Sequence, residues 1–282
     1  MRKRGSNTAQ YVAQTRAVLH ERGVIDDPYA AAMLGPSMRA VMALTRLPVL
    51  RRYNASPLIA ALAARSVFFD RAVTDALDAG VAQVVTLGAG YDSRAWRFAR
   101  ANVAFFEVDH PATQAAKRRR APAGGPAYVA ADLTDAAALP AALAASGFAW
   151  GHPALFVIEG VTMYLPRVRV AELLRALATS AALGSRLAVN FAAPPGTGSP
   201  RDRLRQTALR LLGARRGEPH VFFLTTATAG PFVADTGWRV ERATSLFALA
   251  PELVGNSGLP IAGINPEGAV VSAVKDPATF GP

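Results

Sequence analysis

Cysteine is absent from this 282-residue chain. Disulfides, thiolate metal sites and cysteine nucleophiles are therefore excluded. Histidine is scarce: His20, His110, His152 and His220 stand far apart, and no pair has the spacing of a helical zinc site. A metal centre built on histidine is not expected. Long apolar runs are missing too. No stretch reaches the roughly 18 uninterrupted apolar residues that a membrane-spanning helix needs. Met1-Arg2-Lys3-Arg4 has the charge of a signal-peptide start, but Gly5 to Gln10 is polar and no apolar stretch follows. A cytoplasmic protein is expected, with no membrane partner.

Negative charge is under-represented: 20 Asp and Glu face 31 Lys and Arg, for a formal net charge of +11. Lys117-Arg118-Arg119-Arg120 and the run Arg201, Arg203, Arg205, Arg210, Arg215, Arg216 carry much of it. Such charge draws acidic partners, although a coding bias towards Ala and Arg explains it equally well. Neither cluster interleaves aromatic residues, and no nucleic-acid-binding motif is present. An acidic small molecule is the favoured partner and nucleic acid is disfavoured. No feature of the sequence speaks to oligomeric state.

What the chain does have is apolar content, 51% of residues, spread throughout. That suffices for one large folded domain and argues against disorder. The first 79 residues read as helices, divided by Asp26-Asp27-Pro28-Tyr29, Pro48 and Pro57. The longest helical pattern runs from Leu58 to Leu77. Ser6 or Asn7 is positioned to cap the first helix. After Gly80 short β-branched runs alternate with helical stretches. The seven candidate strands are 84–87, 103–108, 127–130, 154–158, 186–191, 238–243 and 269–274. The helix expected at 166–183 has Pro at its start and Gly184 at its end. Continuous apolar runs joined by helices predict an α/β fold: a doubly wound, seven-stranded, mainly parallel sheet with an N-terminal helical cap. The expected organisation is a single domain, with a cap at 1–79, a ligand-binding core at 80–193, an insertion over the site at 194–230, and C-terminal strands at 231–282.

In such folds ligands bind beyond the carboxyl ends of the strands, near the switch point. The first strand ends in Leu87-Gly88-Ala89-Gly90, and glycine lets backbone approach a ligand closely. A tight structural turn is the plainer explanation of Gly88, Ala89 and Gly90 taken alone. The second strand ends at Asp109, 21 residues after Gly88. An acid at that distance is placed to accept from ribose hydroxyls, or else caps the helix beginning near Pro111. Dinucleotide sites carry a third small residue in Gly-x-Gly-x-x-Gly. Here Ser93 stands there, preceded by Tyr91 and Asp92, and an acid is a poor neighbour for a pyrophosphate at a helix start. S-adenosylmethionine has no phosphate and tolerates nearby acids, so it is favoured over NAD or FAD. Asp132 and Leu133, after the third strand, are placed to meet adenine through a carboxylate and a backbone N–H. Glu159, after the fourth, is placed to meet the amino-acid end.

The run Val84-Val85-Thr86-Leu87-Gly88-Ala89-Gly90-Tyr91-Asp92-Ser93-Arg94 resembles the Leu-Gly-Ala-Gly-x-Asp-Thr-Arg motif of the leucine carboxyl methyltransferase family. That family includes phosphatase-modifying enzymes, a large actinobacterial group of S-adenosylmethionine-dependent methyltransferases, and polyketide carboxyl methyltransferases. Phe106 to Pro111, Ile158 to Pro166, Asp27 to Ala30 and Ala64 to Asp70 resemble its other segments. The similarity covers roughly residues 8 to 192. Ser93 departs from the motif threonine but keeps the hydroxyl.

The resemblance implies that Gly88 approaches the cofactor, Asp109 binds ribose, Asp132 and Leu133 bind adenine, and Glu159 binds the methionine ammonium. Arg16 and Arg65 would clamp the methionine carboxylate, a job suited to a planar guanidinium fork. Tyr164 would border the acceptor pocket, or else be a half-buried core residue. Arg94 is read first as a structural ion pair with Asp92 or Glu107. No catalytic residue is singled out. The implied activity is O-methylation of a carboxylate on a small molecule of secondary metabolism or a peptide C-terminus. Missing cysteine excludes pyrimidine C5 methylation through a thiol adduct. A phenol or hydroxyl acceptor, with His152 or His220 as base, is the nearer alternative. RNA methylation and a non-catalytic cofactor-binding module stand further off.

Overall fold

The computed structural model describes residues 7–45, 56–196 and 218–277, with Pro200, Arg203 and Thr207 between them. Three helices come first: α1 (Asn7–Glu21), α2 (Pro36–Thr45) and α3 (Pro57–Asp78). Asp27, in the segment expected to divide the first helices, accepts from the Ala30 N–H at 3.1 Å and forms a turn well before α2. Pro57 opens α3 at its first position, and Ser56 caps it by accepting from the Ile59 N–H. The fully buried Ala60, Ala63 and Ala64 let α3 pack closely in the cap core with Leu249 and Ala250. Pro48 lies outside the described residues.

The core alternates strand and helix: β1 (Gln83–Leu87), α4 (Arg94–Arg97), β2 (Ala104–Asp109), α5 (Pro111–Arg118), β3 (Ala127–Ala130), α6 (Leu139–Ala145), β4 (Leu155–Ile158), α7 (Arg167–Ser180) and β5 (Arg186–Phe191). It closes with α8 (Thr226–Ala234), β6 (Arg239–Ser245), α9 (Leu246–Val254) and β7 (Ala269–Val274). The sheet order is β3-β2-β1-β4-β5-β7-β6, with β7 antiparallel to both neighbours.

β1 and β4 are buried throughout, the signature of strands covered on both faces. Their side chains alternate between two cores. Val85, Leu87, Phe156 and Ile158 join α6, α7 and α8 on one side, with Trp238 donating its indole N–H to the Leu174 carbonyl. Val84, Leu155 and Val157 join α3 on the other. The helix α7 stops at Ser180, short of the expected Leu183, because Ala181 turns extended and the chain must swing round Gly184 into β5. The expected insertion at 194–230 is described only in part; Thr226 to Gly230 are the first turn of α8, packed against β6 and β7. The Arg-rich run from Arg201 to Arg216, Arg203 apart, lies outside the described residues.

The sheet reverses direction of growth between β1 and β4, so the loops after these two strands diverge and leave a crevice at their carboxyl ends. Gly88 to Gly90 lie on one side of it and Glu159 to Gly160 on the other.

Candidate active site

The turn after β1 is made by backbone. Gly88 and Gly90 have φ of 69° and 53°, the left-handed region that favours glycine. The N–H groups of Gly88 and Ala89 both donate to the Val108 carbonyl, at 2.8 and 3.2 Å. The Gly90 N–H donates to Asp109 Oδ2 at 2.5 Å, and the His110 N–H to Asp109 Oδ1 at 2.6 Å. His110, not Asp109, caps α5, through its Nδ1 and the Ala112 N–H. Burial pushes the Asp109 carboxyl above its ordinary value, against those two N–H donors. The consequence is chemical: the glycine-turn N–H groups that a pyrophosphate would need are already engaged by the protein. The crevice is walled closely. A Cβ on Gly88 would lie 2.4 Å from Val161 Cγ2, and one on Gly90 2.9 Å from the Ala9 Cβ, so α1 roofs the turn.

Behind the turn lies a network of guanidinium and carboxylate groups. Arg94, 1% exposed, donates from Nε to Asp70 Oδ1 at 2.8 Å. Its Nη1 donates both to Asp92 Oδ2 at 2.5 Å and to Glu159 Oε2 at 2.8 Å. Glu107, the other partner expected for Arg94, pairs with Lys117 instead. Arg97 covers the second oxygen of Asp70. Arg65 donates from Nε to Glu159 Oε1 at 2.9 Å. Among the described residues its two terminal nitrogens have no acceptor. Its side chain is 12% exposed, and the guanidinium lies against Gly160. Arg16 is more committed: Nε donates to Asp27 Oδ2 at 2.8 Å and Nη2 to the Tyr91 carbonyl at 2.5 Å. Burial alone would raise Asp92 and Glu159. The arginines overcome it, Arg94 and Arg16 at Asp92, Arg94 and Arg65 at Glu159, and hold both carboxyls below their ordinary values. Four guanidiniums (Arg16, Arg65, Arg94, Arg97) thus balance four carboxylates (Asp27, Asp70, Asp92, Glu159). Such a neutral, hydrogen-bonded group can stay charged while buried.

The remaining expected residues surround this centre. Asp132 is exposed; its Oδ1 accepts from the Thr134 N–H and hydroxyl, at 2.9 and 2.8 Å, and these bonds lower its pKa. Its Oδ2 and the Leu133 N–H have no partner among the described residues, and the Leu133 side chain packs into the core. Gly160 donates its N–H to Asn190 Oδ1 at 2.7 Å. Asn190, next to last in β5, holds the loop after β4 and is missed by sequence reasoning; a polar residue after the apolar run Leu187 to Val189 is its only signal. Tyr164 is half-buried, its ring 5.0 Å from that of His220. The segment carrying His220 is held there by the Val221 N–H on the Met163 carbonyl at 2.8 Å. Glu218, in the same segment, accepts from the Thr8 hydroxyl of α1.

Glu107 and Lys117 form a buried ion pair beneath the turn, with the Lys117 ammonium 5.4 Å from the Trp96 ring. Burial outweighs Lys117 and raises the Glu107 carboxyl to about 7. An acid whose pKa is higher folded than unfolded binds more protons in the native state between those two values. Its contribution to stability is full below about 4.3, the unfolded value, and is lost as pH rises to about 7. Replacing both members, Glu107→Gln with Lys117→Met, should flatten this part of the Tm-against-pH curve relative to the parent. A slope unchanged between pH 5 and 7 would contradict the assignment.

A doubly wound sheet, a glycine turn closed to phosphate and a charge-balanced crevice define a Rossmann-like protein of the class I methyltransferase architecture. A family model described as leucine carboxyl methyltransferase matches residues 7–178, and the chain belongs to that family. A "Putative S-adenosyl-L-methionine-dependent methyltransferase" of Mycolicibacterium paratuberculosis is 36% identical over 205 residues, 66% of this chain. The chain spans 64% of that relative's length. A protein of the same description from Mycobacterium marinum is 31% identical, with 94% of this chain and 87% of the relative covered. A crystal structure of a DUF574 family protein from Streptomyces avermitilis superposes with a TM-score of 0.62, covering 96% of this chain and 98% of that one at 16% identity. That of a "putative methyltransferase" from Thermobifida fusca gives 0.60, covering 88% and 93% at 16% identity. These two structures share the fold.

Proposed function

We propose that this protein transfers a methyl group from S-adenosylmethionine to an oxygen atom, and that the oxygen belongs to a carboxylate. The observation that carries the cofactor reading is the open guanidinium fork of Arg65 beside the arginine-held Glu159. The pair presents donors and an acceptor to a group bearing both carboxylate and ammonium, as an amino acid does. The engaged N–H groups of the glycine turn argue against a dinucleotide. The descriptions of the actinobacterial relatives support the same cofactor.

When bound, S-adenosylmethionine supplies an electrophilic methyl carbon on a sulfonium. The chain's own residues bind and orient. Arg65, assisted by Arg16, takes the methionine carboxylate and Glu159 the ammonium. Asp109 faces the ribose, and Asp132 Oδ2 and the Leu133 N–H take the adenine edge. The α1 roof over Gly90 keeps water out. A carboxylate acceptor, ordinarily titrating at about pH 4, arrives ionised. No proton has to be removed, so alignment is the protein's main task.

The other three histidines have different settings: His20 accepts from the Asp27 N–H, His110 follows Asp109 with its Nδ1 engaged in capping α5, and His152 is exposed in the turn before β4, at the amino end of the strands. The family's description adds weight to a carboxyl acceptor. The position of His220 beside Tyr164 favours a second reading, a phenol or hydroxyl whose proton His220 removes. Incubation with methyl-labelled cofactor and a panel of acids and phenols separates the two. Label released by mild alkali, with a rate flat from about pH 6 to 8, is the expected result. Alkali-stable label on phenols alone, with a limb near the ordinary histidine pKa of about 6.5 that His220→Gln abolishes, would overturn the carboxylate reading.

A further inference from the structure

The geometry points to Arg94 as the positioning residue of the amino-acid end of the crevice: it ties the turn after β1 to the end of β4 and aims Glu159 at the ligand. The inference rests on the proposal that Glu159 receives an ammonium. Arg94 itself is almost wholly buried and is assigned no contact with the ligand; it acts through Glu159.

Three observations carry it. First, one nitrogen, Nη1, spans Asp92 and Glu159, so a single guanidinium bridges the two loops that diverge at the switch point. Second, the other side of the guanidinium is anchored to α3, by Nε on Asp70 Oδ1 at 2.8 Å and Nη2 on the Ser66 carbonyl at 3.4 Å. The bridge is therefore fixed relative to Arg65, which is carried by the same helix. Third, the two Glu159 oxygens are divided between Arg65 and Arg94. Because Arg94 holds one oxygen from behind, Arg65 need not supply all of the compensation. It can keep Nε on Glu159 while turning its terminal nitrogens to a carboxylate. Without Arg94, Glu159 would face the like charge of Asp92 in a buried site, and its protonation would remove the acceptor that an ammonium requires.

The test uses two ligands and the full-length protein. S-adenosylhomocysteine carries the amino-acid end, and 5′-methylthioadenosine carries the nucleoside without it. Affinities are measured by calorimetry from pH 6 to 8 for the parent, Arg94→Met and Arg94→Lys. Arg94→Met should weaken S-adenosylhomocysteine by about tenfold or more at pH 7, roughly 1.4 kcal/mol, and leave 5′-methylthioadenosine within about threefold. The loss should shrink as pH rises, because Glu159 then regains its charge; the parent should show no such slope. Arg94→Lys should recover part of the affinity, since an ammonium keeps the charge but not the fork. Equal weakening of both ligands would reduce Arg94 to a structural role and overturn the inference. So would unchanged affinities, or a loss that is the same at every pH. If Arg94→Met does not fold, Arg94→Lys and Asp70→Asn decide by the same ligand comparison. Parent protein that binds neither nucleoside would overturn the cofactor reading itself, a result distinct from any failure confined to the variants.

Discussion

Replacing Arg65 with alanine is expected to weaken S-adenosylmethionine binding by about 100-fold, roughly 2.7 kcal/mol, with a much smaller effect on folding. The asymmetry follows from the geometry. Among the described residues Arg65 makes one charge-assisted bond, Nε to Glu159, and Glu159 keeps Arg94 when it is lost. Truncation therefore does not leave an uncompensated buried carboxylate, the situation that costs most. The two terminal nitrogens, in contrast, have nothing to bond among the described residues until a ligand arrives. Two parallel N–H donors to a carboxylate in a partly desolvated site account for a loss of this size. Lysine should restore little, because it offers a point charge and no fork. Arg16→Ala should behave differently. Its bonds to Asp27 and the Tyr91 carbonyl hold α1 against the glycine turn, so thermal stability should fall along with affinity. Calorimetry and thermal melts on both variants check the contrast. Arg65→Ala with parent-like affinity would remove Arg65 from the site.

The strands are readable because a parallel sheet covered on both faces demands unbroken apolar, β-branched runs. Residues 127–130, 186–191 and 269–274 are strands over the expected ranges, and the other four differ by a residue or two at an end. Asp109 ends β2, and Asp132 and Glu159 follow β3 and β4; their positions are readable because strand ends in this fold point at one crevice. Which charges meet is a different matter. The partners of Arg94 lie at positions 70, 92 and 159, and only Asp92 is local. Local spacing suggests Arg94 with Asp92, but not the choice of Asp70 and Glu159 over Glu107. The pairing of Glu107 with Lys117 depends on how α5 is seated on β2. Likewise, Thr8 with Glu218 and Tyr164 with His220 join segments with no common periodicity. Periodicity reports burial and spacing reports neighbours along one element. Contacts between loops after different strands exist only once the sheet order is set.

Gly88→Ala should be the most damaging single change in the core of the turn, lowering stability by about 2–5 kcal/mol. Two costs add. A non-glycine residue at φ of 69° pays about 1–2 kcal/mol for the left-handed conformation. The new methyl would also sit 2.4 Å from Val161 Cγ2, and overpacking of this kind costs about 1–3 kcal/mol. Val161 cannot swing aside cheaply. Its branched Cβ restricts χ1, and it is buried in the larger core. The steric share can be isolated with Val161→Ala. In the parent that change removes two buried methyl-sized groups and should cost about 1–2 kcal/mol. In the Gly88→Ala background it should cost nothing or restore stability, giving a coupling above about 1 kcal/mol. Strict additivity in denaturant titrations would mean that turn and loop do not touch as described. Gly90→Ala meets the Ala9 Cβ of α1 rather than a strand loop. Its overlap can be relieved by lifting the roof, so it should cost less stability than Gly88→Ala. It should speed cofactor release more, because the same displacement opens the crevice to water.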